Sequence, residues 1–92
     1  LLTPVLPIPA HKHGESQFTI NGRTVDATYL QTATVPLNIT GLPGLSMRFG
    51  TSQDGLPINV QLVGSWLAES TILHLASLLE LVSPVRGLRP QI

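Results

Sequence analysis

Apolar residues recur along this chain with two different periods, and the change of period marks out its elements. From Leu56 to Val63 they alternate, with Leu56, Ile58, Val60 and Leu62 in one register and Pro57, Asn59 and Gln61 in the other, the two-residue repeat of a half-buried strand. Leu45 to Phe49 alternates in the same way, and the turn-forming stretch Gly50 to Gly55 between the two predicts an antiparallel pair. From Ala68 to Val82 the repeat becomes helical: Ile72, Leu75, Leu79 and Val82 share a face that Leu73 and Ala76 widen, and Pro84 stands just past the end. Phe18-Thr19-Ile20 and Arg23-Thr24-Val25 flank Asn21-Gly22, a strong signal for a hairpin with a two-residue turn. Tyr29, Leu30, Ala33 and Leu37 follow at helical spacing, which predicts a helix from Asp26 as N-cap, disturbed by Pro36.

The ends are less regular. Leu1 to Ala10 is apolar yet holds Pro4, Pro7 and Pro9, so it should enter a sheet at its edge and leave quickly. Residues Pro84 to Ile92, with Gly87 and Pro90, read as an irregular tail fastened by Val85, Leu88 and Ile92. Gly41-Leu42-Pro43-Gly44 is a turn, with Gly41 suited to a left-handed helix cap and Pro43 blocking continuation.

Ninety-two residues make at most one small domain, one that buries only about 60 to 65% of the surface its unfolded chain exposes. Its core must be thin. About a third of the residues are Leu, Ile, Val or Phe, a globular and not a disordered composition. Five basic and five acidic side chains are scattered singly, leaving no basic stripe for phosphates, so nucleic-acid binding is not expected. No apolar run reaches the roughly 20 residues of a membrane span. The absence of cysteine excludes disulfides, thiolate metal sites and a cysteine nucleophile. The chain opens on Leu1, without an initiator Met or a signal-peptide pattern, and reads as a piece of a longer protein.

Candidate chemistry is sparse. Gly44-Leu45-Ser46-Met47-Arg48 approaches a nucleophile elbow, but Arg48 stands where the second Gly of the tight turn is needed, and Ser46 lies in a strand pattern. It reads as a strand residue. His11 and His13, two apart, could point to one side of an extended segment as zinc ligands must, yet Glu15 and His74 lack ligand spacing. A solvated loop is the better reading, and neither a metal nor a cofactor is expected. His74 lies between Leu73 and Leu75 on the last helix and is assigned no role. Asn38-Ile39-Thr40 matches a glycosylation sequon, a pattern common by chance. The carboxylates are too dispersed to pair for acid–base work.

Four ordered stretches change this picture: Leu2-Thr3-Pro4-Val5-Leu6-Pro7; Val35-Pro36-Leu37-Asn38-Ile39-Thr40-Gly41-Leu42-Pro43-Gly44; Gly55-Leu56-Pro57-Ile58-Asn59-Val60-Gln61-Leu62-Val63-Gly64; and Glu69-Ser70-Thr71-Ile72-Leu73 through Glu80. Together they resemble the C-terminal part of the amidase-signature family, across nearly the whole chain. The family's usual Pro in the strand after Gly-Leu-Pro is Arg48 here. The resemblance implies an α+β fragment of a larger α/β fold: an antiparallel strand pair plus a hairpin, packed with two helices and belonging to a larger mixed sheet. Residues 1–92 would be the C-terminal segment of a cytoplasmic hydrolase acting on the C–N bond of carboxylic amides.

In that family a Ser, cis-Ser, Lys triad cleaves the amide, with the lysine neutral so that it can take a proton through the bridging serine, and glycine-rich N–H groups hold the oxyanion. Here no two serines are adjacent and the one lysine, Lys12, lies in a polar loop. The chain by itself is therefore expected to be non-catalytic, with no catalytic residue to name. Its partners would be the remainder of the fold or a second copy, and it would meet a small amide substrate only through the parent enzyme. Members that release ammonia for tRNA-dependent amidation commonly carry an Asp seven residues before the Asn of the second stretch. Gln31 stands there. A neutral amide cannot give an ammonium group the charge-assisted contact of a carboxylate, which points to a general amidase with Gln31 as a substrate-binding residue. The alternatives are a glutamyl- or aspartyl-tRNA amidotransferase A subunit, or a stand-alone interaction module using an open sheet edge and an apolar helix face.

Overall fold

The computed structural model describes residues 1–89. Five strands and two α-helices follow in the order β1 (Leu2–Pro4), β2 (Gln17–Ile20), β3 (Arg23–Asp26), α1 (Val35–Thr40), β4 (Gly44–Thr51), β5 (Pro57–Val63) and α2 (Glu69–Val82), with a 3-10 turn at Tyr29–Gln31 before α1. Strands β1, β5 and β4 form one sheet in that order and β2 with β3 a separate hairpin. Every pair is antiparallel, so the described residues contain no parallel pair of the expected mixed sheet.

Local chemistry explains each element. Asn21 and Gly22 take φ of 51° and 77°, the left-handed pair that a tight two-residue turn demands. Strand β1 is three residues long because Pro4 and Pro7 lack the N–H that a longer ladder would need, and it lies at the sheet edge. Strand β4 is the other edge. Its ladder shifts at a bulge between Arg48 and Gly50, where Arg48 folds back along its own strand, Nε donating to the Gly50 carbonyl (3.4 Å) and Nη2 to Thr51 Oγ1 (2.9 Å). Charge and bulge together blunt that end of the edge.

The continuous helix expected from Asp26 does not form. Pro36 has no N–H to give to the carbonyl of residue 32, and its ring disfavours a preceding turn, so α1 begins at Val35 with Pro36 in its first turn. Upstream the chain makes only the 3-10 turn. Asp26 keeps its capping role in this shorter element: Oδ1 accepts from the N–H groups of Thr28 (3.0 Å) and Tyr29 (3.3 Å). Gly41 closes α1 at φ 73°, its N–H bonding the Leu37 carbonyl at 2.9 Å.

Helix α2 packs on one face of the small sheet, and α1 touches the other through Leu37. Pairing aligns Leu2, Pro4, Leu45, Met47, Val60 and Leu62 on one face and Thr3, Ser46, Arg48, Asn59 and Gln61 on the other. On the apolar face α2 sits so close over Gly64 that a Cβ there would be 2.9 Å from Ile72 Cγ2 and 3.4 Å from the Ala68 Cβ. On the polar face α1 crosses Gly44, where a Cβ would collide with Leu37 Cδ1. Among the described residues only Phe18, Leu30, Leu62 and Ile72 are buried apolar residues, so the core is as thin as the length predicts.

Helix α2 is turned away from the expected face. Ile72, Ala76 and Leu79 meet the sheet, while Leu75 and Val82, expected beside them, are exposed together with Leu73, Leu78 and Leu81. The helix is apolar over a wider arc than one three-stranded sheet can cover. The tail turns at residues 84–87, stitched by Arg86 N–H to the Ser83 carbonyl and Leu88 N–H to that of Val85. Val85 is half-buried, but Leu88 is exposed and fastens little; Ile92 lies outside the described residues.

Candidate functional site

The polar face of the sheet holds the chemistry that this chain has. Thr3, Gln61 and Ser46 lie opposite one another across β1, β5 and β4, and Arg48 and Asn59 form the next row. Asn59 Nδ2 donates to Ser46 Oγ at 3.0 Å. Gln61 is 4% exposed, the one fully buried polar side chain among the described residues; its Nε2 donates to Thr3 Oγ1 (3.1 Å) and to the Ala33 carbonyl (2.9 Å). No buried side-chain nitrogen or oxygen among the described residues lacks a partner.

Gln31 is connected to this face only through the chain, by way of Ala33. It ends the 3-10 turn with its side chain exposed, two residues before the carbonyl that Gln61 holds. The segment is pinned at three points: Asp26 Oδ1 at its start, the buried Leu30 in its middle and Gln61 at its end. Turn bonds run between, Gln31 N–H to the Thr28 carbonyl at 3.2 Å and Thr34 N–H to that of Gln31 at 3.1 Å. Asn38 is exposed on α1, whose final carbonyl region is tied to the loop after β5 by Trp66 Nε1 donating to the Thr40 carbonyl at 2.8 Å.

Such a surface can hydrogen-bond a neutral polar ligand. Ser46 sits in β4 with an amide donating to its oxygen, and no imidazole or amine stands among its hydrogen-bond partners to take its proton. His11 stacks on Phe18 (ring centroids 4.7 Å apart, planes at 47°) and its Nδ1 lies 3.0 Å from the Lys12 carbonyl oxygen. Among the described residues no three His, Asp or Glu side chains converge as a metal site would require. His74 is exposed on α2.

Gln61 and Thr3 were not legible as site residues from the chain alone. Gln61 shares its register with Asn59 and Pro57, which reads as the solvent side of β5; in the fold it is buried, with Thr3 and the Ala33 carbonyl against its amide.

A small antiparallel sheet with a helix packed on its apolar face is a layered α+β arrangement. The chain belongs to the Amidase family, whose model matches residues 1–73. It is 39% identical over 95 aligned residues, 100% of its length, to the A subunit of the glutamyl-tRNA(Gln) amidotransferase of Thermosynechococcus vestitus, and 43% identical over 81 residues, 87% of its length, to that of Bartonella bacilliformis. Among solved structures it superposes on an amidase with a TM-score of 0.83 at 28% identity over 89% of the chain. On a 6-aminohexanoate cyclic dimer hydrolase it reaches 0.81 at 31% identity over 98%. It spans 16–18% of these curated relatives and 19–20% of these solved chains. No described helix is long and apolar enough to cross a membrane.

Proposed function

We infer that residues 1–92 form a non-catalytic C-terminal part of a cytoplasmic amidase-signature hydrolase that cleaves the C–N bond of small carboxylic amides, with Gln31 on the wall of the substrate pocket. One observation carries the reading. A compact monomer of this mass exposes about 5,200 Å², whereas this chain exposes 6996 Å², and the surplus includes the apolar outer face of α2. The exposed leucines of α2 call for a cover, and the remainder of an amidase fold would supply one. Gln31 is an exposed neutral amide, which suits a neutral amide substrate better than an ammonium group.

The amidotransferase A subunit remains a second reading because the two curated relatives above carry that name at 39–43% identity. Titration of the isotope-labelled chain separates the two. Propionamide shifting the Gln31 side-chain resonances, with glutamine no better, supports the amidase; a response only to glutamine, which carries an α-ammonium group, supports the amidotransferase. The chain incubated with simple amides should hydrolyse none above a Ser46→Ala control, and hydrolysis that depends on Ser46 would overturn the non-catalytic assignment.

A further inference from the structure

We propose that Gln61 is a positioning residue that sets the height and orientation of Gln31 relative to the polar face; this rests on the reading of Gln31 as pocket wall. A glutamine side chain carries two N–H donors and an acceptor, and donors drawn into the fold need protein partners. Here Nε2 serves two elements at once: the Thr3 hydroxyl on edge strand β1, and the Ala33 carbonyl in the segment that leads from the 3-10 turn into α1. The donor comes from the central strand, the most fixed part of the sheet.

The segment needs such an anchor. Pro36 prevents one continuous helix, so residues Tyr29 to Val35 lack the ladder that would have held Gln31 at a set height. Turn bonds of 3.1–3.2 Å shape the segment without attaching it to the sheet. Leu30 attaches it by burial, which is non-directional and leaves rotation about that point. The bond from Gln61 to Ala33 supplies the direction, two residues beyond Gln31. Thr3 Oγ1 shares the same Nε2 and so keeps the amide group in the rotamer that reaches Ala33.

The test is backbone hydrogen exchange of the full 92-residue chain, read at the amides of Leu30, Gln31, Thr32 and Thr34 against those of the β2–β3 hairpin and α2. In Gln61→Glu an ionised carboxylate cannot donate to Ala33, while the protonated acid can. Protection in the segment should fall about tenfold at neutral pH and return on acidification, after correction for intrinsic rates, with the hairpin and α2 unmoved. Gln61→Met, of similar size, should lose it at every pH, and Thr3→Val, which frees the rotamer but keeps the donor, should lose only part of it. A uniform change over all elements, or a segment indifferent to pH in Gln61→Glu, would show an ordinary core residue and overturn the proposal. Propionamide titration separates the underlying reading: no shift at Gln31 in the unmodified chain sinks the pocket wall but leaves the exchange result for the anchor intact. Where that shift occurs, Gln61→Met should weaken it severalfold, and an undiminished response would refute the positioning role.

Discussion

Replacing Leu75 and Leu78 together by glutamate probes the outer face of α2, where these residues stand one turn apart at 44% and 48% exposure with Val82, at 71%, completing the stripe. Full burial of a leucine side chain stabilises by about 1.5–3 kcal/mol, so roughly half of that, about 1 kcal/mol per residue, is still open to a partner. With Leu81 and Val82 included, the face offers on the order of 5 kcal/mol per copy and twice that in a two-fold dimer. Association costs about 4–15 kcal/mol, so the isolated chain should pair weakly and reversibly through this surface. The double substitution removes about 2 kcal/mol per copy, or about 4 per dimer, which corresponds to roughly a thousandfold in the dissociation constant. Sedimentation velocity over a concentration series measures it, with circular dichroism to show that α2 persists. Substitution on the outer face should leave the Ile72–Ala76–Leu79 contact with the sheet in place. A chain that is monomeric at the highest concentration, or whose association survives both glutamates, would refute the argument that this face requires a cover.

Two further outcomes test the packing that places the site. Gly64→Ala should destabilise by about 1–3 kcal/mol because the new methyl meets the branched Ile72 and Ala68, neither of which can swing aside; Gly44→Ala should cost less because the atom it meets is the far end of Leu37. Thermal melts of the two variants compare them, and equal losses would contradict the distinction. Asp26→Ala removes the oxygen that caps Thr28 and Tyr29 and should cost about 1 kcal/mol, with faster exchange at Tyr29 while the β4–β5 ladder is unchanged. Unaltered exchange at Tyr29 would remove Asp26 from the anchors of the segment.

Much of the architecture follows from local rules that operate within a few residues. Asn21-Gly22 can hardly do anything but turn a hairpin, Gly41 ends a helix because only glycine sits easily at φ 73°, and the two-residue alternation on either side of Gly50 to Gly55 makes β4 and β5. The amidase kinship was legible too, since four short motifs in order survive in the chain itself. Other features belong to the tertiary structure. Periodicity drew a helix through Pro36, but the missing N–H broke it, and Tyr29, Leu30 and Leu37 fall instead in two shorter elements with Ala33 in the turn between them. Which arc of α2 faces inward was undetermined because the apolar arc is wider than the sheet that receives it. The role of Gln61 was invisible for the same kind of reason: a polar residue in an alternating strand is outside or inside according to what folds over it, and that is decided by a segment 28 residues away.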